Sequence, residues 1–552
     1  MTSVDLLDVN DPVPCLPNTS TAWDEVARGL QRAGVKRVFG LPDDDMHATR
    51  ALESQGIDIL WCSSQRTAVH MAAGAALATG EATVCVLGRG PAVAAAVPGM
   101  LEALSSSAPV VVLAAGTATS RLSARAFQDA PLVSMAQPVT KSAVRVPTAE
   151  GALFTVTKAL TQAVSGVPGP VFVEIPDGLG SLSVPSAEPS IKGSPSTLTA
   201  LLGSSARTLL LLGGGARSAA CTATYLGLAD TFDAGVLVTA SGRGSFPESN
   251  HRYLGLSGLY MMPQTAELVA SADLVVVLGS RLEETAVMGL PADVPWIQVN
   301  ISVEDVDFSK HGLFFELPLQ RLQEITAQTK RTIQTSESGW YQDIKSLQTA
   351  LPSASEVPLS RCAETLKELA GITPCDAVVV HENGLHDIWS YLLPFFPLAD
   401  GTRVVVPSEQ TTLGFGVAAA AGIAADSGKL VVCIGGDGAF DSFTPDLSFL
   451  TRHSLSLVYV IFDDGGFGWL DRQAREEGAQ IRFVEAGQSA LARINLDDER
   501  VLLRTVAPTD DIGAALRGAF ERARQHKVTI LRVICTADDI PPVLQGHEAA
   551  VS

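Results

Sequence analysis

Two acidic turns carry the residue types best able to do chemistry. The stretch IGGDGAFDSFTPDLSFLTRHSLSLVYVIFDDGGFGWL contains Gly435-Gly436-Asp437-Gly438 and then Asp463-Asp464-Gly465-Gly466, with Asp464 lying 27 residues after Asp437. Carboxylates are hard oxygen ligands for Mg²⁺, which takes phosphate oxygens into its remaining positions. Glycines beside them let backbone N–H groups approach a phosphate closely. Either turn alone reads as an ordinary solvated turn; the pair, each closing an apolar run, is more specific. Those runs, 430–434 and 457–462, read as parallel strands, and open α/β sheets bind ligands at the carboxyl ends of strands. Thr444, Pro445 and Asp446 have the residue types of an N-cap, a first turn and a dipole-complementing acid, so a helix is expected to begin there.

The elements that must position these turns follow one rhythm of short Val/Ile/Leu-rich strands and Ala-rich helices. From about 20 to 180, strands are expected near 37–41, 57–62, 83–87, 110–114 and 171–175. After the polar stretch SVPSAEPSIKGSPST they recur at 209–215, 236–241, 273–280 and 296–301. Beyond a looser linker at 333–360 come AVVVHENG, RVVVPS, KLVVCIGGDG, SLVYVIF and VTILRVIC. Continuous apolar strands alternating with helices imply parallel sheets covered on both faces. Right-handed crossovers then make three doubly wound α/β domains. The expected bounds are an N-terminal extension at 1–19, then domains at 20–182, 195–335 and 360–545.

With 46% hydrophobic residues in 552, each domain can bury a core. The net charge of −20 disfavours nucleic acid and anionic membrane as partners. It does not exclude an anionic substrate, because backbone donors and a metal act locally. The eight cysteines show no CxxC; Cys85, Cys433 and Cys535 sit in apolar runs and read as buried hydrophobes of a reducing compartment. The sequence MTSVDLLDVNDP lacks the pattern of a signal peptide, and the apolar stretches fall short of the ~18 residues of a membrane span, so a cytoplasmic location is expected.

The Gly-Asp-Gly turn followed by Asp463-Asp464 resembles the motif of thiamine-diphosphate-dependent enzymes of the acetolactate synthase and pyruvate decarboxylase type, where a paired Asn stands in place of Asp-Asp. The resemblance implies Asp437, Asp464 and the Gly466 carbonyl as Mg²⁺ ligands, with Gly436, Gly438 and Ala439 beside the diphosphate. ENGLHDIW at 382–389 looks like the family's first diphosphate loop, implicating Gly384, Leu385 and His386. TTLGFGVAAAAG at 411–422 resembles the segment that holds the cofactor bent, with Leu413 wedged between its rings and the Thr411 carbonyl near the aminopyrimidine. The ordinary readings are a structural histidine and a core leucine. AFQD at 126–129 and GPVFVEIPDG at 169–178 also look familial.

One feature of that family is missing. Its first domain supplies a glutamate that hydrogen-bonds the aminopyrimidine N1′, nine residues before a glycine in the same helix. Here the helix reads SSQRTAVHMAAGAALATG, and counting back nine from Gly74 reaches Gln65, preceded by Ser64. The nearby turns Gly40-Leu41-Pro42-Asp43 and Arg89-Gly90-Pro91-Ala92 also depart from the family pattern. Glutamine can hydrogen-bond N1′ but cannot shuttle a proton, and general acid–base help contributes roughly 10²–10⁴ in rate. Three accounts are open: turnover with Gln65 and bulk water, proton transfer by His70, Asp43 or Asp44, or cofactor binding without catalysis. His70 lies about 140° round the helix from Gln65, which favours a packed or interface role. Asp43, Asp44 and Asp45 read first as a solvated turn.

The expected function is that of a decarboxylating carboligase joining a 2-oxo acid to a second carbonyl. A simple 2-oxo-acid decarboxylase, a C–C lyase and a non-catalytic cofactor-binding subunit are the alternatives. The resemblance implies a homodimer or homotetramer in which the pyrimidine domain of one copy meets the diphosphate domain of another. The central domain binds FAD or a nucleotide in some relatives, and Gly213-Gly214-Gly215 alone does not establish that here. The stretch Leu470–Arg504 shapes the substrate pocket in relatives and is polar and poorly matched here.

Overall fold

The computed structural model describes residues 21–41, 47–62, 64–117, 130–149, 151–176, 206–217, 222–302, 305–306, 312–316, 318–322, 339–350, 360–408, 413–469, 471–472, 489–494, 496 and 498–544. Apolar strands recurring every few tens of residues have assembled, as expected, into three six-stranded α/β sheets whose strand pairs are all parallel. From edge to edge the third sheet runs Arg403–Val405, Val378–His381, Val431–Gly436, Leu457–Asp463, Val528–Ile534, Val501–Val506. Numbered within its own sheet, that order is 2-1-3-4-6-5, and the first sheet, spanning 37–176, repeats it. The second sheet, spanning 208–316, has the order 3-2-1-4-5-6 of dinucleotide-binding domains.

Central strands are buried on both faces; Val431, Val432, Cys433 and Ile434 are all fully inaccessible. Four strands were not anticipated from the sequence: Ser142–Arg145, Tyr253–Leu256, Gly312–Glu316 and Val501–Val506. All four are edge strands. An edge strand pairs on one side only and tolerates polar residues, so the apolar run fades. Val501–Val506 leaves Leu502, Arg504 and Thr505 exposed.

Four helices matter for the site. Helix α1 (Gln65–Thr79) starts at Ser64, whose hydroxyl accepts from Thr67 N, and stops at Gly80 in the left-handed region. Helix α2 (Leu385–Tyr391) follows the first strand of the third sheet, and α3 (Phe415–Ser427) is almost wholly buried. Helix α4 (Asp437–Asp441) is a short turn that begins at Asp437 itself. The helix expected at Thr444 is corrected accordingly. Thr444–Asp446 forms a 3₁₀ turn, with Phe443 rather than Thr444 at the cap, and Leu447–Arg452 follows as a separate helix. Thr444 Oγ1 donates to Asp441 O and Asp446 accepts from Thr67 Oγ1, so neither side chain caps the new helix.

Helices α1 and α3 join the first and third sheets through backbone-close contact. A Cβ on Gly74 would fall 2.5 Å from Ala419 Cβ, and one on Gly422 would fall 2.5 Å from Met71 O. His70 sits inside this junction, with its ring edge-on to Phe415. Burial, reinforced by Arg66, pulls its pKa down to about 3, so it is neutral and packed.

Candidate active site

The first and third strands of the third sheet, Val378–His381 and Val431–Gly436, lie side by side, and the strand order reverses between them. Such a switch point opens a crevice at the carboxyl ends of the strands. The loops leaving it are 382–386 and 436–438, so the fold brings two of the anticipated segments together. A Cβ on Gly436 would fall 3.1 Å from the His386 ring, and one on Gly384 would fall 2.5 Å from the same ring. His386 Nε2 lies 2.9 Å from Glu382 O, which can only accept. That nitrogen therefore carries the proton, and burial holds the ring's pKa down at about 4.

Glu382 was not singled out from the sequence and is the hub of this end of the site. Its buried carboxylate accepts from Gly416 N at 2.8 Å and Val417 N at 3.3 Å, and also from Asn383 N at 3.1 Å. It thus caps the start of α3 while its carbonyl holds His386. Burial, outweighing these N–H donors, pushes the carboxyl up to about 7. Leu413, just before α3, is 37% exposed, an unusual state for a large apolar side chain beside a buried helix. Thr411, like Asp43, Asp44, Asp45 and the 126–129 stretch, lies outside the described residues.

The acidic tips meet through the neighbouring strands, where Gly436 is in register with Phe462. Asp437 is 1% exposed, and its Oδ2 has no hydrogen-bond partner. Burial, with Asp463, Asp464 and Asp441 alongside, pushes its carboxyl up to about 8. Asp464 accepts from Gly466 N at 3.3 Å, and burial, with Asp463 and Asp471 nearby, raises it to about 6. The Gly466 carbonyl lies 2.8 Å from where a Cβ on Gly438 would sit, and the Phe467 ring lies 2.7 Å from the same point. Only glycine fits at 438.

The two adjacent aspartates are not equivalent. Asp463 forms an ion pair with Arg532, accepts from Ser489 Oγ at 2.8 Å and from Gly465 N at 3.0 Å, and its carbonyl accepts from Cys535 N at 3.0 Å. Its valence is filled, leaving Asp464 as the open ligand. Among the described residues no three His, Cys, Asp or Glu side chains cluster at metal-binding distance. A cation here would take two carboxylates, a carbonyl and oxygens of a bound ligand, a set suited to Mg²⁺. The orphaned Asp437 oxygen, and the burial and mutual repulsion of the carboxylates, fit a positive charge between them.

Gln65 is half-buried at the first turn of α1 and makes no hydrogen bond to a described residue. Its neighbours dock just beyond the C-terminal end of α4: Thr67 donates to Asp446 at 2.8 Å and Arg66 Nη2 reaches Ser442 O at 3.4 Å. Within one chain Gln65 is therefore held near the third sheet without a bond to the acidic tips.

In the second sheet the glycine turn is consumed by packing. A Cβ on Gly213 would fall 2.4 Å from Gly279 O, and one on Gly242 would fall 2.2 Å from Leu212 O. The cavity beside it, of about 60 Å³, is lined by Ser257, Glu283, Asn383 and Asp387 among others, and no lysine or arginine faces it. Ligand pockets typically run about 300–1,000 Å³. This cavity and the glycine turn alone therefore do not establish a flavin or nucleotide site. The second sheet grips the third instead: buried Arg243 pairs with Glu248 at 2.9 Å and donates to Ser390 O and Phe396 O at 2.8 and 2.6 Å. No described helix is long and apolar enough to cross a membrane.

Comparison with known proteins agrees along the chain. Residues 20–136 match the thiamine pyrophosphate enzyme N-terminal TPP binding domain, 196–312 the central domain and 382–533 the C-terminal TPP binding domain. The acetolactate synthase large subunit of Lactococcus lactis subsp. lactis is 25% identical over 511 residues, covering 86% of this chain and 88% of the relative. The isozyme 3 large subunit of Escherichia coli is 27% identical over 470 residues, covering 79% and 80%. A thiamine diphosphate-dependent 4-hydroxybenzoylformate decarboxylase of Rhodococcus jostii RHA1 shares the fold with a TM-score of 0.77 at 20% identity, covering 94% of this chain and all of that one.

Proposed function

We propose that this chain, which belongs to the thiamine pyrophosphate enzyme family, is a decarboxylating carboligase acting on a 2-oxo acid and a second carbonyl compound. The observation that carries the reading is the unpaired, buried Asp437 oxygen at the glycine-lined switch point. Bound thiamine diphosphate supplies the electron sink that lets a 2-oxo acid lose CO₂ and its acyl unit pass to an acceptor. The chain's own residues supply the seat. Asp437, Asp464 and the Gly466 carbonyl hold a divalent cation. The 384–386 and 436–439 loops carry the diphosphate, the neutral His386 contributing a ring fixed by Glu382. Leu413 supports the cofactor's bend, which would cover a side chain otherwise 37% exposed, with the Thr411 carbonyl beside it.

The domains take matching roles: 20–182 for the pyrimidine, 195–335 as a central brace and 360–545 for diphosphate and metal. Gln65 acts on the aminopyrimidine of a second copy in a homodimer or homotetramer, which accords with its lack of a hydrogen bond to the acidic tips of its own chain. There it orients the ring by a hydrogen bond and leaves proton transfer to solvent. His70, neutral and packed between α1 and α3, takes no part in it.

Gln65 also motivates a second reading, a subunit that binds cofactor without turning over. Incubating purified protein with Mg²⁺, thiamine diphosphate and a panel of 2-oxo acids, with and without aldehydes, separates the cases. CO₂ with an acyloin product supports the carboligase, and CO₂ without coupling gives a simple decarboxylase. Tight cofactor binding with neither product leaves the non-catalytic subunit. Gln65→Glu should change C2 proton exchange of the bound cofactor by at least tenfold; an unchanged rate removes Gln65 from N1′.

A further inference from the structure

The tips of two neighbouring strands carry three aspartates, Asp437 on one and Asp463 and Asp464 on the other, and the structure disposes of their charges differently. Asp463 is neutralised in place by Arg532, with the Ser489 hydroxyl and Gly465 N completing its shell. Asp437 and Asp464 form no ion pair with any described residue, and Asp437 Oδ2 is buried without a partner. Asp464 is turned inward, its Oδ2 lying 1.8 Å from where a Cβ on Gly468 would sit, so a glycine there is what leaves it room. The motif that this sequence resembles pairs a single aspartate with two asparagines. Here both asparagine positions are aspartates, and one of the added charges is ion-paired with Arg532. The net change is one unpaired extra negative charge, on Asp464, close enough to Asp437 to act on it.

That charge acts in opposite directions on the two species expected at the site. It attracts a divalent cation directly, so the cation no longer depends on diphosphate oxygens to complete a favourable set. It repels a diphosphate that arrives without its metal. We infer that this chain takes up its divalent cation first, as a preformed two-carboxylate site, and admits the diphosphate only onto the metal-loaded protein. The inference rests on the cofactor seat proposed above and adds an order of assembly to it. The role of Arg532 follows: by pairing with Asp463 it leaves one unpaired extra charge and fixes the backbone from which Asp464 projects.

The test uses Mn²⁺ as the probe on full-length protein stripped of metal, with free Mn²⁺ read by electron paramagnetic resonance in the absence of cofactor. The wild type should bind one Mn²⁺ per chain, and Asp464→Asn should bind it at least tenfold more weakly. Adding thiamine diphosphate should recover most of that loss, because its oxygens replace the missing charge. Asp464→Asn is nearly isosteric, and far-ultraviolet circular dichroism checks that it is folded; Asp464→Ser provides a second, smaller replacement. Equal cofactor-free Mn²⁺ affinity in wild type and variants overturns the order of assembly. So does a wild type that binds no Mn²⁺ until thiamine diphosphate is added. A wild type that binds Mn²⁺ tightly but never binds thiamine diphosphate, even at saturating Mg²⁺, overturns the cofactor reading itself, and the inference with it.

Discussion

Replacing Glu382 by glutamine should destabilise the protein at low pH, and the difference from wild type should shrink or reverse as the pH rises. The carboxyl is fully buried and receives three backbone N–H groups, from Asn383, Gly416 and Val417. Protonated, it keeps an acceptor on both oxygens; a glutamine amide nitrogen cannot accept, so one N–H is left facing another donor. An unsatisfied buried donor costs about 1–3 kcal/mol, which sets the gap at acid pH. The folded-state pKa is raised from the ordinary 4.5 to about 7, chiefly by burial. Between those values the folded protein keeps a proton that the unfolded chain releases, so wild-type stability falls as pH climbs through this window. The full loss is on the order of 3 kcal/mol at about 1.4 kcal/mol per unit, and glutamine does not incur it. By pH 8 the variant should equal or exceed the wild type. Urea midpoints for both proteins at pH 5, 6, 7 and 8 measure the difference, in which groups titrating alike in both cancel to first order. A gap that stays constant across the series would refute the reasoning, showing that the three N–H donors and the α3 terminus hold Glu382 ionised throughout.

The junction of α1 and α3 predicts that Gly74→Ala lowers the thermal midpoint by the equivalent of about 1–3 kcal/mol, because the new Cβ meets Ala419 backbone that cannot turn aside. Gly227→Ala, exposed in a helix with open space around it, should instead stabilise by about 0.5–1 kcal/mol in the same scan. Arg243→Met strips a buried partner from Glu248 and leaves the Ser390 and Phe396 carbonyls without their donor, so a loss of about 3–5 kcal/mol is expected by urea unfolding. A loss below 1 kcal/mol would mean that the grip of the second sheet on the third is dispensable.

The sequence was legible where burial on both faces leaves a continuous apolar run, and it failed where that run is diluted. Strands at the centre of each sheet were read within a few residues, whereas Ser142–Arg145, Tyr253–Leu256, Gly312–Glu316 and Val501–Val506 were missed as edges. The helix expected at Thr444 failed for another reason. Its cap-like residues are used elsewhere, Asp446 by Thr67 across the sheet junction, and a local motif does not disclose a partner several hundred residues away. Among the site residues, the structure brings the 384–386 loop, Gly436, Asp437, Gly438, Asp464 and Gly466 to one switch point. Two supporting residues could have been found. Arg532 lies inside the apolar strand VTILRVIC, and a charge there demands a buried partner, which turns out to be Asp463. Glu382 directly follows the apolar strand Val378–His381, where a carboxylate likewise demands a buried partner.

The same reasoning explains why one end of the site reads clearly and the other does not. The proposed cation and diphosphate positions are formed by loops of a single sheet, so spacing along the chain reflects spacing in the crevice. The aminopyrimidine position proposed for Gln65 has no such support within the chain, since Gln65 makes no hydrogen bond to the acidic tips, and residues 42–46 and 409–412 lie outside the described ones. A residue proposed to act on another copy leaves no trace in local pattern, and the intrachain contacts of Thr67 and Arg66 show only how its helix is anchored. Those contacts nevertheless constrain it. Because α1 is locked to α3 by glycines at 74 and 422 that admit no side chain, Gln65 cannot slide along the junction to make room for a different proton carrier. On the proposed placement of Gln65, whatever replaces the glutamate's chemistry must therefore reach the ring from a loop or from solvent, with the helix itself staying fixed.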